Sequence, residues 1–291
     1  MSDVKSSSLR KIREKFKGWA VPGPEPDREA MHQVPCGPGE SLDALCGHFR
    51  IFQLKDGHRY STDDILTAWY GTSWCPSAGQ VLDLGSGVGS VGMTAAWRLR
   101  GADFVTVEAQ DISVELAKKS ARYNGLGDRY EIRHGDFRDP QVLAEDEKFD
   151  LVLGSPPYFP VPAGTQADHP QKAACRFEMR GDVGDYASVA ARHLAPGGVF
   201  CCVFPIDPDP QHERVIRAAE ESKLSILRWR PVVFSEGRKP LLGLFIMVRS
   251  DDIPQSMRGP AWVEPPLVIR RGDGSIHPEY RALKMSIGFP P

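Results

Sequence analysis

The chain has little net charge, few cysteines and no long apolar run. Lysine and arginine number 36 against 38 acidic residues, a formal net charge of −2. Bulk attraction to a polyanion is therefore not written into the composition, and any nucleic-acid surface must be local. No stretch approaches the roughly 20 apolar residues of a membrane span, and nothing near the start reads as a signal peptide. Cys36, Cys46, Cys75, Cys175, Cys201 and Cys202 include no pair at two-residue spacing, and the histidines do not cluster near them. That argues against a zinc knuckle. Cys201 and Cys202 lie in an apolar run and read as core. The expectation is a cytoplasmic protein with reduced thiols and no structural metal. No internal repeat is evident.

What the chain does have is an ordinary globular composition, 41% hydrophobic and 25% charged, enough to bury a sizeable core. Residues 1–39 read as a basic, Pro/Gly-rich, flexible extension. Leu9, Ile12, Phe16 and Trp19 fall at helical spacing within it. Residues 40–291 read as one domain with an N-terminal helical cap, in which Glu40–Leu45 is expected to be helical, and a C-terminal tail. From residue 80 onward strands and helices alternate, which predicts a doubly wound α/β sheet. The connection between the last two strands, Ile226–Phe234 and Leu241–Val248, is too short for a crossover helix, so they should pair antiparallel.

Within this alternation, Val81 to Gly92 reads as a strand, a Gly-rich turn and a helix. Gly87, Gly89 and Gly92 satisfy the dinucleotide pattern GxGxxG, which is weak alone. Asp83, Gly85, Gly87 and Gly89 equally satisfy Asp-x-Gly-x-Gly-x-Gly. A dinucleotide needs the helix N-terminus for its pyrophosphate, whereas an acid before the loop suits a sulfonium cation. The reading therefore favours S-adenosylmethionine. Glu108, ending the next strand, can accept from both ribose hydroxyls. Asp136 can accept from the adenine amino group, with Phe137 packed on the ring. Both follow strands at the end of the sheet where such folds bind ligands.

Ser155-Pro156-Pro157-Tyr158 follows the apolar strand Phe149–Gly154. Alone it is as well explained by a proline turn closing a strand. Beside the glycine loop it gains a chemical meaning. An exocyclic amine is a poor nucleophile because its lone pair is delocalised. Accepting its two N–H hydrogens, at Ser155 Oγ and the Pro156 carbonyl, drives the nitrogen toward tetrahedral geometry and stabilises developing positive charge. Tyr158 offers a face for a base swung out of its stack.

This tetrapeptide resembles the amino-methyltransferase motif Asn/Asp/Ser-Pro-Pro-Tyr/Phe/Trp, which serves adenine N6, cytosine N4, guanine N2 and glutamine amides. Gly57-His58-Arg59-Tyr60-Ser61-Thr62-Asp63 resembles a segment of the bacterial tRNA(Val) anticodon-loop adenine-N6 methyltransferases. Pro266–Arg270, Gly274 and Pro278–Leu283 are similar to the C-terminal end of that family. The resemblance covers about residues 40–284. It implies a class I, Rossmann-like, seven-stranded, mostly parallel sheet with one antiparallel strand near its end, and S-adenosylmethionine as cofactor. It implies that Arg59, Tyr60, Ser61 and Asp63 lie across that cofactor. It also implies an RNA partner, most simply tRNA. Ser155 departs from the Asn usual in the family.

Candidate RNA contacts are Arg176 and Arg180, Arg228-Trp229-Arg230, and Arg238 with Lys239. The Pro-rich segment Phe159–Ala174 has the length of a substrate-gating loop. Competing readings are a DNA adenine-N6 or cytosine-N4 methyltransferase, a protein glutamine N-methyltransferase, and a catalytically silent partner-binding paralogue.

Overall fold

A computed structural model of the chain describes residues 19–26, 31, 33–160, 171, 175 and 177–290. The N-terminal amphipathic segment (apart from Trp19), Arg176 and most of the segment Phe159–Ala174 lie outside these.

The body is a sheet of seven strands: β3 (Gln80–Leu84), β4 (Asp103–Glu108), β5 (Tyr130–His134), β6 (Phe149–Gly154), β7 (Leu194–Pro205), β8 (Leu224–Val233) and β9 (Leu242–Arg249). Their spatial order is β8-β9-β7-β6-β3-β4-β5. Only β9 runs against its neighbours, β7 and β8, as the short connection requires. Two further short strands, β10 (Trp262–Val263) and β11 (Leu267–Val268), lie parallel to β8 and raise the count among the described residues from the expected seven strands to nine. Two-residue strands carry no readable period; their pairing partner alone defines them.

Among the described residues, five helices flank the sheet. Helices α1 (Thr62–Trp74), α2 (Ser90–Arg98) and α3 (Asp111–Tyr123) cover one face, with Leu66, Met93 and Leu116 buried against Val81 and Phe104. Helices α4 (Val183–His193) and α5 (Gln211–Glu221) cover the other, with Val189 and Val215 against Val152 and Phe200. Cys201 and Cys202 are fully buried on the two opposite faces of β7.

The expected helix at residue 40 is instead a strand. Glu40–Cys46 (β1) pairs antiparallel with Phe49–Leu54 (β2). Local propensity yields to cross-strand pairing, with Leu42 opposite Phe52, and to an ion pair from Glu40 to Lys119 of α3. Residues before 40 also touch this body. Val34 is buried in its core, and His48 Nε2 lies 3.2 Å from the Val21 carbonyl.

The C-terminal helix α6 (Pro278–Ser286) returns to the start of α1, where Tyr280 and Thr62 line one shallow pocket. Strand order reverses at β3, between β4 and β6. The loops after β3, β4, β5 and β6 therefore converge on one crevice at the carboxyl edge.

Candidate functional site

That crevice is a cleft of about 330 Å³. It is lined by the glycine turn after β3, by Glu108, Asp136 and Phe137, by all four residues of Ser155–Tyr158, and by residues 58, 60, 61, 63 and 64. The elements expected to carry chemistry are thus brought together, although they span a hundred residues of sequence.

The glycine turn is needed as glycine. Gly85, Gly87 and Gly89 take φ of +60°, +56° and +90°, the left-handed region that disfavours side chains. A Cβ on Gly85 would lie 2.0 Å from Tyr186 Oη. One on Gly87 would meet no described atom within 4 Å, so its backbone borders open space in the cleft.

Two acids hold this turn. Glu108 accepts the Gly87 N–H at 2.8 Å and the Gln110 N–H at 2.7 Å. Asp83 Oδ2 accepts the Gly92 N–H of α2 at 2.8 Å. The other oxygen, Asp83 Oδ1, has no partner among the described residues, although Asp83 is 1% exposed. Ser86 Oγ is likewise buried with no partner among the described residues.

Burial pushes the Asp83 carboxyl well up, and Asp64 and Glu108 push it further. Glu108 is raised chiefly by burial, against the backbone donors and Arg180. A crowd of buried, mutually repelling acids is built for a cation. It would repel a pyrophosphate. S-adenosylmethionine fits: its cationic end suits Asp83, its ribose Glu108, and its adenine the Asp136–Phe137 loop. Asp136 is bound through both oxygens by Arg138, at 2.6 and 2.9 Å, which holds its carboxyl below the usual range. Phe137 stands edge-on to Tyr186, with ring centroids 4.7 Å apart.

The tetrapeptide is anchored at its aromatic end. Tyr158 Oη donates to Asp63 Oδ2 at 2.6 Å, and the Tyr158 carbonyl accepts from Gln211 Nε2 at 3.0 Å. Its ring stands edge-on to Phe204 at 6.0 Å. The next acid, Asp64, accepts from the Ser61 N–H at 3.2 Å and from Ser90 Oγ at 2.9 Å. Burial raises the Asp64 carboxyl, and the hydrogen bonds from the Ser61 backbone and Ser90 oppose that rise, as does the Ser155 hydroxyl.

Several expectations change. Arg59 points out of the cleft, pairing with Asp43 at 2.8 Å and donating to Ser41. In an extended segment neighbouring side chains point to opposite sides, so His58 enters the cleft and Arg59 leaves it. Arg180, read as an RNA contact, lines the cleft near Glu108 and Asp136. Arg228 stacks over Trp74 at 3.5 Å and pairs with Glu264, while Arg230 pairs with Glu279. Trp229 stacks on Phe245. These three are engaged within the fold. Arg238 and Lys239 follow β8 at the same carboxyl edge but do not line the cleft.

Sequence reasoning missed Asp64, Tyr186, Gln110 and Gln171. Gln171, 2% exposed, accepts the His58 N–H at 3.1 Å and donates to Ser113 Oγ at 3.1 Å. Only the acid pair Asp63-Asp64 behind the cap Ser61 offered a local signal.

Comparison with known proteins agrees with this architecture. Residues 71–177 match the methyltransferase small domain family. A tRNA1(Val) (adenine(37)-N6)-methyltransferase of a Flavobacteriaceae bacterium is 28% identical over 181 residues, 62% of this chain and 72% of that protein. A Klebsiella pneumoniae protein of the same name is 32% identical over 168 residues, 54% of this chain and 64% of its own length, so less than two thirds of it is spanned. A release factor glutamine methyltransferase of Aliivibrio fischeri is 36% identical over 83 residues, 28% of each chain. The crystal structure of a predicted O-methyltransferase from Agrobacterium tumefaciens superposes with a TM-score of 0.55 at 17% identity, over 79% of this chain and 98% of that one. It shares the fold. The chain is therefore an S-adenosylmethionine-dependent methyltransferase of class I fold, and it resembles the bacterial tRNA1(Val) adenine-N6 methyltransferase family.

Proposed function

We propose that this methyltransferase modifies an exocyclic amino group, with adenine N6 of a tRNA as its acceptor. The observation that carries the reading is the position of Ser155–Tyr158 in one cleft with the glycine turn Gly85–Gly89. When bound, S-adenosylmethionine supplies an electrophilic methyl group. Asp83, Glu108 and Asp136, with Tyr60, Ser61 and Phe137, are the residues of this chain proposed to hold it.

The acceptor side is the work of the tetrapeptide. Pro156 and Pro157 are buried and hold the turn rigid. Ser155 Oγ and the Pro156 carbonyl accept the two amine hydrogens, which localises the nitrogen lone pair and stabilises positive charge as the bond forms. Tyr158 stacks on the base and fixes its plane. No strong general base is required, because the methylated amine loses its proton readily to water. Arg238 and Lys239, at the same edge of the sheet, are proposed to meet the RNA backbone.

The names of the relatives support RNA as the acceptor class. The Aliivibrio relative favours one second reading, a glutamine side-chain amide, since an amide NH2 presents the same two hydrogens to the same acceptors. Mass spectrometry of nucleosides from tRNA incubated with enzyme and cofactor tests the proposal. N6-methyladenosine is expected. A different methylated base would reject the acceptor and keep the reaction. Methylated glutamine in a protein substrate, with unmodified tRNA, would favour the second reading.

A further inference from the structure

The amine site is braced from behind by the first turn of α1. Ser61 caps this helix, its Oγ accepting the Asp63 N–H at 3.3 Å. The cap sets the two following acids side by side in the cleft. The Asp63 carboxylate accepts a hydrogen bond from the Tyr158 phenol at 2.6 Å. The Asp64 carboxylate, already bound to Ser61 and Ser90, shares its surroundings with the Ser155 hydroxyl. The aromatic end of the tetrapeptide is thus hydrogen-bonded to one of two consecutive acids of one helix turn, and its serine end lines the same cleft as the other.

We propose that Asp63 and Asp64 are positioning residues for the amine clamp, Asp63 acting through Tyr158 and Asp64 through Ser155. The inference rests on the amino-methyltransferase reading above. A tyrosine stacks best when its ring cannot swing. Here the phenol is tied to Asp63, the backbone carbonyl to Gln211, and the ring edge to Phe204.

Serine raises a different problem. Its hydroxyl has one donor and two acceptor sites, so a free Ser155 could offer the substrate amine a hydrogen instead of a lone pair. A neighbouring carboxylate can only accept. It draws the hydroxyl hydrogen toward itself and leaves Oγ to face the amine as an acceptor. An asparagine carbonyl at this position would need no such help, because it has no hydrogen to misdirect.

The test is a pair of mutant cycles measured as turnover, KM and cofactor affinity, with calorimetry for the cofactor. Tyr158→Phe and Asp63→Leu should each lower turnover about tenfold, the range of a lost hydrogen bond to a charged group. Their combination should cost little more than either alone. Asp63→Asn still accepts the phenol hydrogen and should recover most of the loss seen in Asp63→Leu. Asp64→Asn keeps the cap acceptor but supplies donors as well, and should lower turnover about tenfold in the Ser155 enzyme. In a Ser155→Asn background the same change should have little effect.

Cofactor affinity should stay within about twofold in the Asp63 and Tyr158 variants, and any change caused by Asp64→Asn should be the same in the Ser155 and Ser155→Asn backgrounds. Additive effects in both cycles, or losses confined to cofactor affinity and melting temperature, would overturn the positioning role while leaving the amine clamp intact. Absence of any methyl transfer by the unmodified enzyme to RNA, DNA or protein would overturn the clamp and this inference together.

Discussion

Asp83 Oδ2 accepts the backbone N–H of Gly92 at 2.8 Å, while Asp83 Oδ1 lies buried with no partner among the described residues. The first contact joins the end of β3 to the first turn of α2 and fixes the glycine turn between them. The second oxygen is a desolvated acceptor beside the cleft, in the company of two other acids. Structural and binding duties are thus divided between two atoms of one carboxylate. Asp83→Asn should preserve the contact to Gly92 and remove the negative charge. Calorimetry is expected to show cofactor affinity reduced at least about tenfold, with the melting temperature little changed. An unchanged affinity would show that the charge at Asp83 does not serve the cofactor.

Gly85 and Tyr186 make a steric pair. An alanine at Gly85 would suffer both its φ of +60° and a Cβ placed 2.0 Å from Tyr186 Oη. Gly85→Ala should cost about 1–3 kcal/mol in unfolding free energy. Adding Tyr186→Phe removes the obstructing oxygen and should restore part of that stability in thermal melts. If the double variant is no better than Gly85→Ala, the backbone conformation alone sets the cost.

The basic residues at the carboxyl edge should separate by measurement. Arg180 lines the cleft and lowers the pKa of both Glu108 and Asp136. Arg180→Gln is expected to change cofactor affinity. Arg238→Ala with Lys239→Ala should leave cofactor affinity alone, weaken RNA binding and reduce its salt dependence. Filter binding across a salt series, alongside calorimetry, distinguishes the two. An unaltered salt slope in the double variant would remove Arg238 and Lys239 from the RNA surface.

Asp63 should give the enzyme an acid limb. Burial pushes its carboxyl up to about 6 from an ordinary 3.8; Asp64 also raises it, while Tyr158 and His58 pull it down. The folded chain therefore holds this proton more tightly than the unfolded chain between those values. The contribution of Asp63 to stability falls as pH rises through that window and is constant above it. Turnover should rise modestly, by about twofold or less, with pH around 6, because the protonated carboxyl still accepts the Tyr158 phenol hydrogen and ionisation only strengthens that bond. Asp63→Asn should lose that limb in a pH–rate profile. A limb retained in the variant would belong to another group.

Much of the fold was legible because its signals are local. Alternating apolar runs announced the strands and helices, and a connection too short for a crossover announced the antiparallel β9. The expected helix at Glu40–Leu45 failed because its six residues carry no strong period, and the partner that makes them a strand, Phe49–Leu54, lies across a turn. Strands β10 and β11 escaped for the same reason. The resemblance of Gly57–Asp63 to a family segment groups Arg59 with the cofactor, but adjacent residues of an extended segment face opposite ways, and here His58 rather than Arg59 enters the cleft.

Residue type and spacing alone specify the kind of chemistry. Asp83 to Gly89 and Ser155 to Tyr158 each carry their meaning in residue type and spacing, because a tight turn needs glycine and a rigid carbonyl needs proline. The tertiary structure decided which side chains work together. Asp63 and Tyr158 are 95 residues apart and share one hydrogen bond, and Tyr186 stands over Gly85 across a sheet edge. No local pattern encodes such pairs, since they exist only once the strand ends converge. At the tetrapeptide the two sources meet. The sequence supplied a serine where asparagine is usual, and the fold set the carboxylate of Asp64 in the same cleft.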